Sequence, residues 1–180
     1  MKRTGTSMSL WIAFGIVSLF AAGIGFVARG AFAADEAPQP APEKPIDGNA
    51  LVKALLGSWT TAAKSTMGEM TGTVSYGLEC GKTTLVNRYK AKGEAFGEFE
   101  GLGVLKISAD GKTASLWWFD TMMDGVLMMT GPATDTGYTI EGSNKMGSSK
   151  ITLTKKDAGF EMKMWANGEE FMTETYTKAK

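Results

Sequence analysis

The chain contains no histidine. Serine–histidine triads, His-ligated zinc and His-ligated haem are therefore outside the chemistry it can assemble from its own residues. Its single cysteine, Cys80, leaves no partner for a disulfide within the chain. Glu79-Cys80-Gly81 reads as a turn, and the thiol there is expected to be inert. Arginine is nearly missing too: after Arg29 only Arg88 remains. Formal charge over the 180 residues is zero, and residues 1–33 hold Lys2, Arg3 and Arg29 with no acid. The remainder carries 16 basic against 19 acidic groups. With no basic stripe to neutralise phosphates, nucleic acid is not an expected partner. No Gly-x-Ser-x-Gly elbow and no glycine-rich phosphate loop occur, and nothing marks a nucleophile. The expectation is a non-enzyme without a cofactor or metal. Asp120 and Glu174 as an acid/base pair form the one catalytic alternative.

What is present begins with an export signal. Lys2 and Arg3 precede the apolar run from Leu10 to Val27, and Ala31-Phe32-Ala33 is a small-x-small cleavage site. Residues 1–33 therefore read as a signal peptide cut after Ala33, which places the protein in the periplasm or outside the cell. After cleavage no stable membrane insertion is expected. The rival reading is an uncleaved anchor, since Met8 to Ala28 is nearly long enough to span a bilayer. Residues 34–46 include DEAPQPAPEKP, a proline-rich linker expected to be extended or disordered.

The domain is expected over residues 47–180. Asp47 is placed to cap a short helix with Leu51, Leu55 and Leu56 on one face, and Gly57 stands where that helix should stop. From Ser58 onward, short runs alternate with turn signals about every ten residues, among them Asp110-Gly111, Thr136-Gly137 and Asn167-Gly168. That cadence suits an antiparallel sandwich or barrel of about ten strands. Strands are expected near 58–65, 71–78, 83–92, 95–100, 102–108, 113–121, 125–131, 137–142, 149–155 and 159–178, the last being a hairpin. Gly101 and Gly103 around Leu102 point to a bend or bulge within one long strand. Leu116 to Gly131 reads as a hairpin turning at Asp124-Gly125. In the run from Gly159 to Met164, Phe160, Met162 and Met164 share the inner phase. In the last strand, one face carries Met172, Glu174 and Tyr176 and the other Phe171, Thr173, Thr175 and Thr177. If the first face is inside, Glu174 is a buried carboxyl that must be paired or protonated.

Several motifs follow one another in a set order: Phe99-Glu100-Gly101-Leu102-Gly103, Trp118-Phe119-Asp120-Thr121-Met122, Gly131, Phe160-Glu161-Met162, Asn167-Gly168-Glu169-Glu170-Phe171 and Glu174-Thr175-Tyr176-Thr177-Lys178. Over roughly Leu56 to Lys178 this resembles the bacterial family called "domain of unknown function 1579". The resemblance implies an all-β fold, a small closed up-and-down antiparallel barrel of lipocalin-like or nitrobindin-like shape, and no established activity. Lys106-Ile107-Ser108-Ala109-Asp110 stands where the family often has a Gly-Tyr-Asp step. Haem binding, which nitrobindin-like barrels achieve through histidine, does not carry over.

Within such a barrel the expected partner is a small hydrophobic molecule. Trp118, Met128, Met162, Met164 and Tyr176 are the candidate wall contacts, Asp120 and Glu174 the polar anchors, and Arg88 a possible bidentate partner for one carboxylate. Methionine, of which the chain has 12, is a flexible gap-filler common on adaptable apolar surfaces. Two alternatives stand beside this: a filled barrel serving as a structural or protein-interaction module of the cell envelope, and Cu(I) held by thioethers such as Met67 with Met70 or Met162 with Met164. Exported material is expected to begin at Ala34. Mass spectrometry of its N-terminus checks this, and a start at Met1 refutes cleavage.

Overall fold

The computed structural model describes residues 42–95 and 97–180. The expected signal segment, its expected cleavage site and the first part of the expected linker lie outside the described residues. Ile46 is buried in the main core, its amide donates to the Lys82 carbonyl at 2.8 Å, and Glu43 pairs with Lys106 at 2.6 Å. The packed body therefore starts before Asp47, because an apolar side chain just after the last linker proline finds a hydrophobic seat.

Helix α1 (Ala50–Leu55) is capped by Asn49, whose Oδ1 accepts the Val52 amide at 3.1 Å. The cap is not Asp47. That carboxylate binds Lys82 at 3.0 Å, which holds its pKa below the usual range. Leu51, Val52 and Leu55 are buried, and the Trp59 indole donates to the Leu55 carbonyl at 2.8 Å. The helix thus lies over one end of the sheet and is tied to its wall.

Ten strands follow: β1 (Gly57–Ser65), β2 (Gly68–Glu79), β3 (Thr84–Gly93), β4 (Gly97–Ile107), β5 (Thr113–Asp120), β6 (Leu127–Thr134), β7 (Gly137–Asn144), β8 (Gly147–Lys156), β9 (Gly159–Ala166) and β10 (Glu169–Lys178). Each pairs antiparallel with its sequence neighbour, and β10 returns to β1 with Tyr176 opposite Thr61 and Glu174 opposite Ala63. The result is a closed up-and-down barrel, which leaves no sheet edge to protect. Asn167 and Gly168 take positive φ, 52° and 89°, in the β9–β10 turn, as an Asn-Gly hairpin requires.

Two local expectations are corrected. The runs 95–100 and 102–108 form the one long strand expected, β4, but without the bend or bulge: its register with β3 and β5 is unbroken. Gly101 and Gly103 make no bulge. They face the lumen, and a Cβ at Gly101 would overlap the Trp118 indole while one at Gly103 would overlap the Asn87 side chain. The glycines are there because large inward side chains on adjacent strands occupy their space. The bulge lies elsewhere, between Glu170 and Met172. Likewise, β5 and β6 form a hairpin, but a six-residue connection replaces the two-residue Asp124-Gly125 turn. Strand β5 stops at Asp120 because its Oδ1 accepts the amides of both Met122 and Met123 at 2.8 Å.

Period-two burial sets the interior. The main core runs from α1 through Trp59, Leu85, Leu105, Ile140, Leu153 and Phe160, and fills the helix end. A smaller cluster of Ala63, Met70 and Met172 sits toward the opposite mouth, and Met162 and Met164 pack against both. Substituting Gly101→Ala is expected to destabilise the barrel by about 1–3 kcal/mol, since the indole is too rigid to yield to an extra methyl. Urea denaturation measures this, and an unchanged midpoint would show that Trp118 does not hold that space.

Candidate functional site

In β10, Met172, Glu174 and Tyr176 are the buried face. Glu174 is 0% exposed. Its partner comes from across the lumen: the Tyr89 hydroxyl on β3 donates to Glu174 Oε1 at 2.6 Å. Two strands, β1 and β2, separate the pair along the wall. Their inward residues at that level, Thr61, Ala63 and Gly72, are small enough for the phenol to pass over them.

A polar band surrounds this bond. All four tyrosines of the chain, Tyr76, Tyr89, Tyr138 and Tyr176, are buried in the interior. Burial pushes the Tyr76 phenol up to about 12 and raises the other three well above their usual value; the Glu174 charge adds to the effect on Tyr89. Burial also raises the Glu174 carboxyl, favouring the neutral acid, and the Tyr89 hydrogen bond only partly opposes it. The hydroxyls of Thr61 and Tyr176 face the carboxyl. Tyr176 instead donates to Met162 Sδ at 3.4 Å. Glu174 Oε2, Thr61 Oγ1 and Asn87 Oδ1 have no hydrogen-bond partner. Among the described residues no lysine or arginine is buried, so no protein cation balances the carboxylate.

Toward the mouth the wall is aromatic. Tyr89 meets Phe99 and Trp118 edge to face at centroid distances of 5.8 and 6.3 Å, and Phe99 and Trp118 lie 6.4 Å apart at 22°. The Trp118 indole donates to Asp120 Oδ2 at 2.7 Å. Asp120 therefore has both oxygens committed, one to the indole and one to the turn that carries Met123. Met123 packs on the main core, and the Asn144 amide approaches its sulfur at 3.5 Å. This loop thus sets one side chain, Met123, onto the core at the mouth end while the rest of it stays exposed.

The candidate residues separate into groups. Glu174, Tyr176, Met162, Met164 and Trp118 all face the lumen around one region. Asp120 lies at its rim as the bracket for Trp118 and Met123, and is not a free anchor beside Glu174. Met128 is 56% exposed, because the β6 register turns Leu127 and Met129 inward and Met128 outward. Arg88 is exposed on the outer wall, out of phase with Asn87 and Tyr89, and pairs with neither carboxylate. It lines a depression of about 360 Å³ with Leu102 and Phe119, and a second depression of about 240 Å³ lies by Glu69 and Lys92; both are open to solvent at the wall. Met67 sits on an exposed turn while Met70 points inside, so the Met-x-x-Met pair is split between two faces. Among the described residues no three Cys, Asp or Glu side chains converge as metal ligands. Sequence reasoning missed Tyr89, Thr61 and Asn87. Their signal was faint: Tyr89 and Asn87 share the phase of Leu85, and Gly101 and Gly103 marked large neighbours.

The raised carboxyl makes stability depend on pH with a definite sign. The contribution of neutral Glu174 is complete below its unfolded value of 4.5 and is lost as pH rises through the higher folded value. Unfolding free energy measured by urea from pH 4.5 upward is expected to fall for the native chain and to fall less for Glu174→Gln. Parallel profiles would mean that the carboxyl is not buried.

No protein family profile matches this chain, and no curated protein matches it. Among solved structures, a redesigned β-barrel is similar over 72% of this chain and 96% of its own, with 12% identity and a TM-score of 0.42.

Proposed function

We propose that this protein is an exported barrel that binds a small hydrophobic molecule without transforming it, and that it falls with the "domain of unknown function 1579" proteins its ordered motifs resemble. The observation that carries the reading is Glu174. A barrel serving only as a scaffold gains nothing from burying a carboxyl with one oxygen unpartnered; an apolar residue of similar size would be at least as stable there. Buried polar groups left without partners are found where a ligand or ordered water completes them. Above this floor stand Trp118, Phe99, Met123, Met162 and Met164, half-buried and soft. Methionine side chains change rotamer at little cost, so the mouth can admit an apolar body by repacking.

A second reading, the envelope interaction module, rests on a different feature. Met67, Phe119, Met122, Val126, Met128 and Met146 are the exposed large apolar side chains among the described residues, and every one lies at the mouth end or its loops. The two readings separate in one experiment. Freshly purified protein is extracted with organic solvent and weighed by native mass spectrometry, beside Met164→Trp, which fills the mouth. A co-purified small molecule that is lost from the variant is expected. Its absence from both, together with a retained protein partner, would favour the second reading.

A further inference from the structure

We propose that the interior site takes a primary ammonium head group carried on an apolar tail, with Glu174 as its counter-ion and Thr61 as a second acceptor. The inference rests on the binding reading above and names the chemistry of the ligand's polar end. The unpartnered atoms are all oxygens: Glu174 Oε2, Thr61 Oγ1 and Asn87 Oδ1. Once ionised, Glu174 Oε2 calls for donors, as Asn87 Oδ1 does, and Thr61 can accept as well as donate. An ammonium group brings three N–H donors and no acceptor. It also brings the positive charge that an ionised Glu174 needs and that no protein group supplies, since every described lysine and arginine is outside the core. A neutral alcohol would satisfy one or two of these atoms and leave Glu174 as the neutral acid, without a charge-assisted pair. A carboxylate head would place like charges together.

The walls fit the same head group. The rings of Tyr89, Trp118 and Phe99 stand together between Glu174 and the mouth, a surface that favours cations over anions in a desolvated setting. The tail would lie against Met162 and Met164, which bridge the two apolar clusters, and would enter where Met123 now sits.

Binding moves one proton. Below its raised pKa, Glu174 in the free site is the acid; an entering ammonium would leave it as a carboxylate bound to N–H donors, and the carboxyl proton would go to solvent. Affinity for an amine therefore rises with pH, and affinity for an alcohol does not. The titratable groups facing Glu174 are Tyr89 from β3, Tyr76 from β2 and Tyr176 on its own strand. Burial holds all three phenols in the neutral form through the range in which Glu174 titrates. No charged side chain from a neighbouring strand competes for the assignment among the described residues.

The test uses three ten-carbon probes of equal tail, decylammonium, decanol and decanoate, titrated calorimetrically into the full protein in two buffers of different ionisation enthalpy. Decylammonium is expected to bind about tenfold or more tightly than decanol, with decanoate weakest, as a charge-assisted pair requires. At a pH below the raised pKa of Glu174 it should release up to one proton per ligand, the number falling as pH rises, and decanol should release none. Glu174→Gln should bring the amine-to-alcohol ratio to about one and abolish the release. If that variant does not fold, Thr61→Val serves in its place and should lower the ratio without abolishing the release. Equal affinities for decanol and decylammonium with no proton release would overturn the ammonium assignment and leave the hydrophobic binder standing. Binding of none of the three would overturn both.

Discussion

The hydrogen bond from Tyr89 to Glu174 crosses the lumen, and the rest of the interior is arranged around the problem it answers. A carboxyl with no protein cation beside it must remain neutral or be supplied with donors. Tyr89 supplies one donor to one oxygen. For the phenol to arrive, the intervening strands carry Thr61, Ala63 and Gly72 at that level, so a stretch of wall that could have held large aliphatic residues is kept small. The polar band then separates two apolar bodies. One is the dense core under α1 and the other a small methionine cluster toward the mouth, with Met162 and Met164 spanning the gap.

The same economy of space governs β3 to β5. Asn87 and Trp118 project inward next to strand β4, which gives up its side chains at Gly103 and Gly101 to admit them. The indole, placed over Gly101, stacks on Phe99 and meets Tyr89, so the phenol that binds Glu174 is held from the side by aromatic contact. Asp120 fixes the indole through its N–H and, with its other oxygen, ends the strand and shapes the loop bearing Met123. A continuous chain of contacts thus runs from the buried carboxyl to the mouth. Through it, Met123 and Trp118 bear on the packing of Tyr89 and so on the hydrogen bond to Glu174.

The two ends of the barrel are built for different tasks. At one end α1, Ile46 and the indole of Trp59 close the lumen with aliphatic packing and main-chain hydrogen bonds. At the other, a small cluster of Ala63, Met70 and Met172 and the partly buried Met123, Met162 and Met164 stand below a loop whose Met122 and Val126 are exposed. That end is also where apolar surface meets solvent.

Much of the fold was legible along the chain because a strand's burial repeats every two residues and its turns have local chemistry. Asn167-Gly168 announced a tight hairpin, and the phase of Phe160, Met162 and Met164 needed no knowledge of neighbours. The alternation in β10 reduced Glu174 to two possibilities, solvent or interior, and named the consequence of the second. What local pattern cannot carry is which residues meet across a closed wall. Tyr89 and Glu174 are 85 residues apart and touch only because β10 returns to β1 and brings β3 within one phenol's reach. The task of Gly101 was misread for the same reason: a glycine's neighbour on the next strand is decided by register, which alternation constrains to a phase but does not number. The phase of Met128 was equally beyond a short apolar run, where every residue is hydrophobic and period two leaves no mark. By itself the sequence determined an all-β chain with an inner and an outer face. Only closure of the barrel decided which inner groups share a site, because that depends on distances through the lumen and not along the chain.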